Sequence, residues 1–592
     1  MLIPRLISSL ILPVFLWGVC AQSVAQSVDQ GVDQSRAQSL ALDVAKNGPA
    51  PSDKPNILLI VADDLGYGDI GAFGGEIHTP NIDLLASRGL RFTSFHTQAS
   101  CSPARSMLLT GVDNHLNGMG IMAEDLLPHH ANLPGYVGHL NDQVFTVASR
   151  LKGAGYRTLM SGKWHLGFKP EQRPFSRGFE STFALLNGTA NHYNEAGPNA
   201  AQARATYTRN GKIIRRPKGY SSDLFTDELI QNLDLNKKGK QPFFAYLSFT
   251  APHWPLQAPR NSIEKYKNTY GVGWDKIRET RFVSMRDRGL MPANVTLPAR
   301  VGGVPAWDAL SKPEQAIESR KMAVYAAMVD NLDSNIGRLV QYLKAEGEYE
   351  NTLIIFMSDN GTDPYDRSER GIYKGWIKDN YRNNLENIGN EDSYTFYGPG
   401  WAQVGSVHHR YYKFLPTEGG THAPLVISYP NLNKKGELKT AFFSVLDITP
   451  TLLELAGIDK IEKPDNESAF YVPSGRSILS YLTGSSDSVY LPNEAVAFEL
   501  FGHSSVYMGQ WKALSLRPPW GNNTWSLYDL SKDPGETVDL SKVEPEKLET
   551  MVEAYAEYKL KNKVITEPED ATAYPVKPHY IKLRSEADDA HE

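Results

Sequence analysis

The segment Cys101-Ser102-Pro103-Ala104-Arg105-Ser106-Met107-Leu108-Leu109-Thr110-Gly111 sets a thiol two residues before a proline and four before an arginine. The 592 residues contain two cysteines, and the other, Cys20, lies in a leader that reads as a signal peptide over 1–21. Arg5 gives that leader a positive start, residues 7–18 an apolar core, and Val19-Cys20-Ala21 a cleavage region. The core is broken by Ser8, Ser9 and Pro13 and is too short to span a bilayer, so removal is favoured over a membrane anchor. Val19 fits poorly before a lipidated cysteine. Cleavage discards Cys20 and Arg5, so 61 basic against 67 acidic residues becomes 60 against 67, and the formal charge moves from −6 to −7. Cys101 is then a thiol with no disulfide partner in a periplasmic or secreted chain, a chemical precursor in preference to a staple.

Four apolar runs end in polar groups that could share a site with that thiol. Residues 56–62 lead into Asp63-Asp64-Leu65-Gly66, and 352–357 into Ser358-Asp359-Asn360-Gly361. Residues 243–249 lead into Thr250-Ala251-Pro252-His253, and 158–160 into Ser161-Gly162-Lys163-Trp164-His165. Alone, Asp63-Asp64 is as consistent with a helix cap as with a metal site, and Asn360-Gly361 is a turn signal. Together, Asp63, Asp64, Asp359 and Asn360 offer only hard oxygen donors, which suits Ca2+ or Mg2+ and not zinc.

Lys163 and His165 stand on alternate residues, so an extended backbone would point both to one side. Lys413 precedes Glu418-Gly419-Gly420, a flexible turn that could bring backbone close to a ligand. His408 and His409 read as loop residues. Around the thiol, Ser102 reads as a helix N-cap and Pro103 as the first helical residue. Free N–H groups at that helix start, with Arg105 one turn on, would favour an anion beside residue 101.

Continuous apolar strands followed by polar endings fit the buried strands of a parallel sheet, where ligands sit beyond the carboxyl ends. The expected fold is therefore α/β, a large mixed and mostly parallel sheet flanked by helices. Residues 318–346 read as a core helix, with Met322, Tyr325, Val329, Leu332, Ile336, Leu339 and Leu343 at helical spacing. Residues 22–53 read as a polar leader, 54–490 as the catalytic domain, and 491–592 as a smaller subdomain. The last combines an antiparallel sheet, from strands at 495–499, 505–516 and 524–530, with a helix near 545–560. Residues 256–300 read as an irregular insertion near the site entrance. A composition of 41% hydrophobic and 10% aromatic residues is that of a globular protein, and mild acidity excludes nucleic acid as a partner.

Cys101-Ser102-Pro103-Ala104-Arg105 with Leu109-Thr110-Gly111 resembles the signature of the type I sulfatases. Tyr397-Gly398-Pro399-Gly400-Trp401-Ala402-Gln403 and the block at 527–537 look most like periplasmic bacterial arylsulfatases of the Pseudomonas type. The resemblance implies an alkaline-phosphatase-like sulfatase fold, and conversion of Cys101 to Cα-formylglycine by a formylglycine-generating or other maturation enzyme. It also implies a Ca2+, less readily Mg2+, ligated by Asp63, Asp64, Asp359 and Asn360 and contacting residue 101. Arg105, Lys163, His165, His253 and Lys413 fall at the remaining active-site positions. One departure is His422, where many relatives have Arg, and it bears on substrate preference more than on catalysis.

Hydrated formylglycine can attack sulfur with one oxygen and keep the second hydroxyl to expel sulfate. In that scheme Lys163, Lys413 and the cation hold the sulfonate oxygens, and Asp359 takes the proton of the attacking hydroxyl. His253 with Lys413 assists the leaving alcohol, His165 deprotonates the second hydroxyl, and Arg105 orients the diol. The expected function is hydrolysis of sulfate monoesters, aryl sulfates foremost, from small molecules or glycans. A phosphonate or phosphate ester hydrolase would share the motif, and an unmodified Cys101 would leave a sulfate-ester-binding protein without turnover.

Overall fold

The computed structural model describes residues 54–235, 241–432, 435–458, 470–569 and 576–582. The expected signal peptide and leader lie outside the described residues.

Ten strands form the main sheet: β1 (Asn56–Ala62), β2 (Leu90–Phe92), β3 (Arg157–Lys163), β4 (Ser181–Leu185), β5 (Tyr207–Arg209), β6 (Lys212–Ile214), β7 (Phe243–Ser248), β8 (Thr352–Ser358), β9 (Leu425–Ser428) and β10 (Glu437–Lys439). Their order is β10-β2-β9-β8-β1-β7-β3-β4-β5-β6. The central strands β8, β1, β7, β3 and β4 are parallel, and antiparallel neighbours flank them on both sides. Strand alternation divides the core in two. Leu58, Ile60, Ala245, Leu247, Ile354 and Phe356 pack on one face with α3 (Ser221–Leu235) and α4 (Lys312–Ala345). Ile57, Leu59, Val61, Phe244, Ile355 and Met357 pack on the other with α2 (Cys101–Thr110). Helix α1 (Pro80–Arg88) adds Ile82 and Leu85 to the first face.

Register places the site. Val61 pairs with Ser248, Ala62 with Ser358, and Ser248 with Gly162, so four adjacent strands stop at one level. The segments that begin with Asp63, Phe249, Asp359 and Trp164 therefore leave the sheet side by side. Strand β3 runs to Lys163, three residues beyond the expected 158–160, so Lys163 stands on the sheet itself.

Helix α4 starts at Lys312, six residues before the expected 318. Ser311 is its N-cap, and the Ser311 N–H donates to Glu314 Oε2 at 2.7 Å in a capping box that tolerates Pro313 in the first turn. All seven residues of the expected stripe are buried. The insertion at 256–300 is not irregular: it forms helices Arg260–Tyr266 and Gly273–Asp287, and Arg281 ties the second to Asp69 and Glu76.

The carboxyl end is a four-stranded antiparallel sheet, β11 (Ala495–Leu500), β12 (His503–Met508), β13 (Trp511–Ser515) and β14 (Trp525–Asp529), covered by α5 (Pro545–Lys561). The run 505–516, expected as one strand, is two strands turning at Gly509. Val496, Phe498 and Tyr507 enter the second core cluster, which joins this sheet to the main body. Among the described residues no helix is long and apolar enough to cross a membrane.

Candidate active site

Helix α2 begins at Cys101, with Ser100 in extended conformation as N-cap. The expected start, Ser102 capping and Pro103 first, is two residues late. Proline fits throughout the first turn because no N–H there needs an intrahelical acceptor. The earlier start places the free N–H groups of Cys101 and Ser102, and the positive end of the helix, at the thiol itself.

Cys101 Sγ lies 2.9 Å from Lys413 Nζ, 3.5 Å from Asp63 Oδ1 and 3.7 Å from Asp64 Oδ1. Lys163 Nζ donates to both oxygens of Asp63 at 2.9 and 2.8 Å, and Lys413 Nζ to both of Asp64 at 2.7 and 2.9 Å. Arg105 Nε donates to Asp359 Oδ2 at 2.8 Å, while its Nη1 bonds Ser248 Oγ and the Tyr246 hydroxyl. Asp359 Oδ1 accepts the Asp64 N–H at 3.2 Å, and Asn360 Nδ2 donates to Asp64 Oδ1 at 2.7 Å. None of Asp63, Asp64, Cys101, Arg105, Lys163, Asp359, Asn360 and Lys413 is more than 3% exposed, so these charges interact in a dry site.

His253 joins the cluster, with Nε2 3.5 Å from Asp64 Oδ2 and Nδ1 2.7 Å from the Trp254 carbonyl. His165 is placed differently. Its φ of 56° breaks the extended backbone expected between it and Lys163, and its Nε2 pairs with Glu124 at 3.3 Å. Asp64, at φ 64°, and Phe414, at φ 77°, also hold left-handed backbone beside the site.

The glycines after Lys413 do not make room for a ligand. A Cβ on Gly419 or Gly420 would lie 2.0 Å from the Tyr411 or Leu415 carbonyl oxygen, and one on Gly361 would lie 1.9 Å from the Gly419 oxygen. They let the Asp359 turn, the Lys413 loop and residues 418–421 stack backbone against backbone. That packing fixes Lys413.

Burial raises Asp64 to about 7 even with Lys413 attached, and raises Asp63 against the pull of Lys163. For Asp359 burial is outweighed by Arg105, Lys163 and Lys413, which hold it below the usual carboxylate value. Burial pushes the Cys101 thiol well up, and it keeps His253 low with help from both lysines.

The donor set fits a hard divalent cation. The carboxylates of Asp63 and Asp64 have ligand atoms within 4.8 Å of each other and of Cys101 and His253, whereas the two oxygens of Asp359 face the Asp64 N–H and Arg105 Nε. Asn360 Oδ1 is buried without a partner, an acceptor left over beside carboxylates whose pKa values burial and mutual repulsion raise. Arg105 Nη2, 3.6 Å from Asp63 Oδ1, is likewise unpartnered.

Sequence reasoning missed the supports. Ser248 and Tyr246 hold Arg105, Glu124 holds His165, and Asp363 accepts Trp254 Nε1 at 2.8 Å beside His253. Alternation along β7 places Ser248 and Tyr246 on one face and could have flagged them; Glu124 had no local signal.

Residues 55–458 match the model of the sulfatase family, and 407–563 match that of the C-terminal region of N-sulphoglucosamine sulphohydrolase. The chain belongs to the sulfatase family. A sulfatase of Schizosaccharomyces pombe, itself uncharacterized, is 42% identical over 545 residues, covering 90% of this sulfatase and 98% of that protein. An arylsulfatase of Klebsiella aerogenes is 39% identical over 419 residues, covering 69% and 88%. Among solved structures, Ps i-CgsB in complex with k-i-k-neocarrahexaose matches with a TM-score of 0.61 at 25% identity, over 86% of this sulfatase and 94% of that chain. This sulfatase is a sulfuric ester hydrolase, and its sheet flanked by helices with a small antiparallel sheet is the fold of its structural relatives.

Proposed function

We propose that this sulfatase hydrolyses aryl sulfate monoesters in the periplasm or outside the cell, through Cα-formylglycine made from Cys101 by a maturation enzyme. The observation that carries this reading is a buried thiol at a helix start, in contact with Lys413 and flanked by Asp63 and Asp64. With its pKa pushed well up by burial, the unmodified thiol stays protonated and is a poor nucleophile. Oxidised and hydrated, the same side chain has one oxygen for attack and a second hydroxyl for release of sulfate.

Asp63, Asp64, Asp359 and Asn360 would hold Ca2+, which supplies positive charge to the sulfonate group. Lys163 and Lys413 turn their ammonium groups to the sulfonate oxygens, and the first turn of α2 adds N–H donors. Arg105 fixes Asp359, whose carboxylate takes the proton of the attacking hydroxyl. His253 Nδ1 faces a carbonyl, so Nε2 can give a proton to the leaving oxygen only from the doubly protonated ring. A bound sulfonate anion favours that ring, and Lys413 shares the task. His165 has the reverse arrangement: Nε2 donates to Glu124, and buried Nδ1, which has no partner, is free to accept the proton of the second hydroxyl.

Two features support the aryl preference: the identity to the Klebsiella arylsulfatase, and an aromatic cluster of Trp254, Tyr394 and Phe396 beside His253. Mass spectrometry of the tryptic peptide containing residue 101, after periplasmic production, tests the modification. A peptide that keeps its thiol in turnover-competent protein refutes it. Rates on nitrophenyl sulfate should exceed those on nitrophenyl phenylphosphonate; the reverse order assigns the site to phosphonate esters.

A further inference from the structure

Four histidines form a second buried cluster that the reaction does not use. His408 and His409, expected as loop residues, are 2% and 4% exposed, and His96 and His422 are 1% and 7% exposed. Their rings lie in series, His408 tilted against His409 at 4.0 Å, His409 stacked on His422 at 4.3 Å, and His422 tilted against His96 at 4.7 Å between centroids. Glu418 Oε2 sits between two of them, 2.9 Å from His96 Nε2 and 3.1 Å from His422 Nδ1. A cavity of about 640 Å3 is lined by His408, His409, Glu418 and His422 and by none of the residues around Cys101. His422 thus faces this cavity and not the sulfate site.

Several features match a ligand set. The ligand atoms of His96, Glu418 and His422 lie within 4.8 Å of one another. Separations of 2.9 and 3.1 Å subtend roughly 90–100° at an ion roughly 2.0–2.1 Å from each atom, so a few tenths of an ångström of opening reaches a tetrahedral angle. The supports are also in place. His96 Nδ1 lies 3.3 Å from the Ser94 carbonyl, and Glu418 Oε1 accepts from the Tyr507 hydroxyl and Lys512 Nζ, both at 2.8 Å. His422 Nε2, the nitrogen not turned to Glu418, is buried without a partner, as are His409 Nε2 and His408 Nδ1 outside the ligand set.

We propose that His96, Glu418 and His422 bind a zinc-like divalent cation, distinct from the hard cation of the Cys101 site, with the remaining position left to water from the cavity. Imidazole nitrogen with one carboxylate is a donor set for Zn2+ or Co2+, in contrast to the oxygen ligands beside Cys101.

The full chain, stripped of transition metals and kept in excess Ca2+, is titrated with Co2+ and then Zn2+. One Co2+ per chain with visible d–d bands, no sulfur charge-transfer band and displacement by Zn2+ is expected. His96→Gln and His422→Arg, the second placing a fixed cation on Glu418, should each weaken binding by at least the roughly 10–100-fold that loss of an outer partner costs. No binding beyond the Ca2+-saturated site, a cobalt–sulfur band marking Cys101, or unchanged affinity in both variants overturns the assignment. Should the variants fail to fold, anomalous diffraction from zinc-soaked wild-type crystals decides. A peak between His96, Glu418 and His422 supports the site, and a peak elsewhere or none overturns it.

Discussion

Replacing Lys413 with Met removes the ammonium that lies 2.7 and 2.9 Å from the two oxygens of Asp64. At an effective dielectric of about 20 such a contact is worth about 6 kcal/mol of Coulomb energy, and breaking a buried pair costs about 3–5 kcal/mol once the site relaxes. Protonation limits the loss. Asp64 already titrates near 7 with Lys413 present, and without it the carboxyl is raised further. A carboxyl raised on folding binds its proton more tightly in the native state, so stability falls as pH rises from the unfolded value through the folded one. In chelator, Lys413→Met should therefore lose about 3–5 kcal/mol at pH 8 and clearly less at pH 6. Ca2+ takes over the charge of the missing ammonium, so its stabilising effect should be larger in the variant than in wild type. Turnover of nitrophenyl sulfate should fall about 10²–10³-fold, as when one donor to a developing oxyanion is removed. Denaturant unfolding with and without Ca2+, together with initial rates, reads all three. Wild-type stability in chelator with an unchanged Ca2+ response, or a rate within a few-fold of wild type, would refute the pairing and the sulfonate contact respectively.

Cys101→Ser should complete at most one turnover and accumulate a sulfated protein, seen by intact mass; sustained turnover would remove the need for the aldehyde. His253→Gln should slow alkyl sulfates by about 10²–10⁴-fold and nitrophenyl sulfate far less, since a good leaving group needs little proton assistance; equal losses on both would place His253 outside leaving-group chemistry. His115, paired with Asp113 at 2.8 Å and Glu499 of β11 at 2.6 Å, is raised to about 10 against the opposing effect of burial. Its contribution is fully present below about 6.5 and lost as pH rises through about 10. His115→Gln should flatten that slope in denaturant unfolding at pH 7 and 10, and an unchanged slope would assign it to other groups.

The four polar strand endings were legible because each follows an apolar run, and because parallel register levels the ends without any residue having to signal it. The oxygen donors could be grouped by residue type, whereas Lys413, alone a default surface charge, was placed beside them only by the family resemblance. Local backbone was less legible. The start of α4 was missed although Ser311 and Glu314 form a capping box, because an apolar stripe that begins at Met322 draws the eye inward. The φ of His165 and the close approach of Gly361 to Gly419 follow from contacts between segments remote in sequence. His408 and His409 looked polar and loop-bound, and only their burial against Tyr67 and His422 gives them another meaning.

Charge counting links the present arrangement of the site to its chemistry. At a pH high enough to ionise Asp63, Asp64 and Asp359 together, their three negative charges balance the three positive charges of Arg105, Lys163 and Lys413, so the unloaded cluster sums to zero and each lysine is paired with a carboxylate. Such a site has no net attraction for an anion and no free ammonium to offer one. A divalent ion on the same carboxylates brings the sum to +2, and a sulfate monoester of charge −1 leaves +1, so the loaded cluster both draws the substrate and stays positive as charge builds on the sulfonate oxygens. On the proposed function, metal loading and substrate binding would be linked through Lys163 and Lys413, which can serve the carboxylates or the sulfonate but not both at full strength. On that reading the two buried lysines would be the switchable element of an otherwise backbone-locked site.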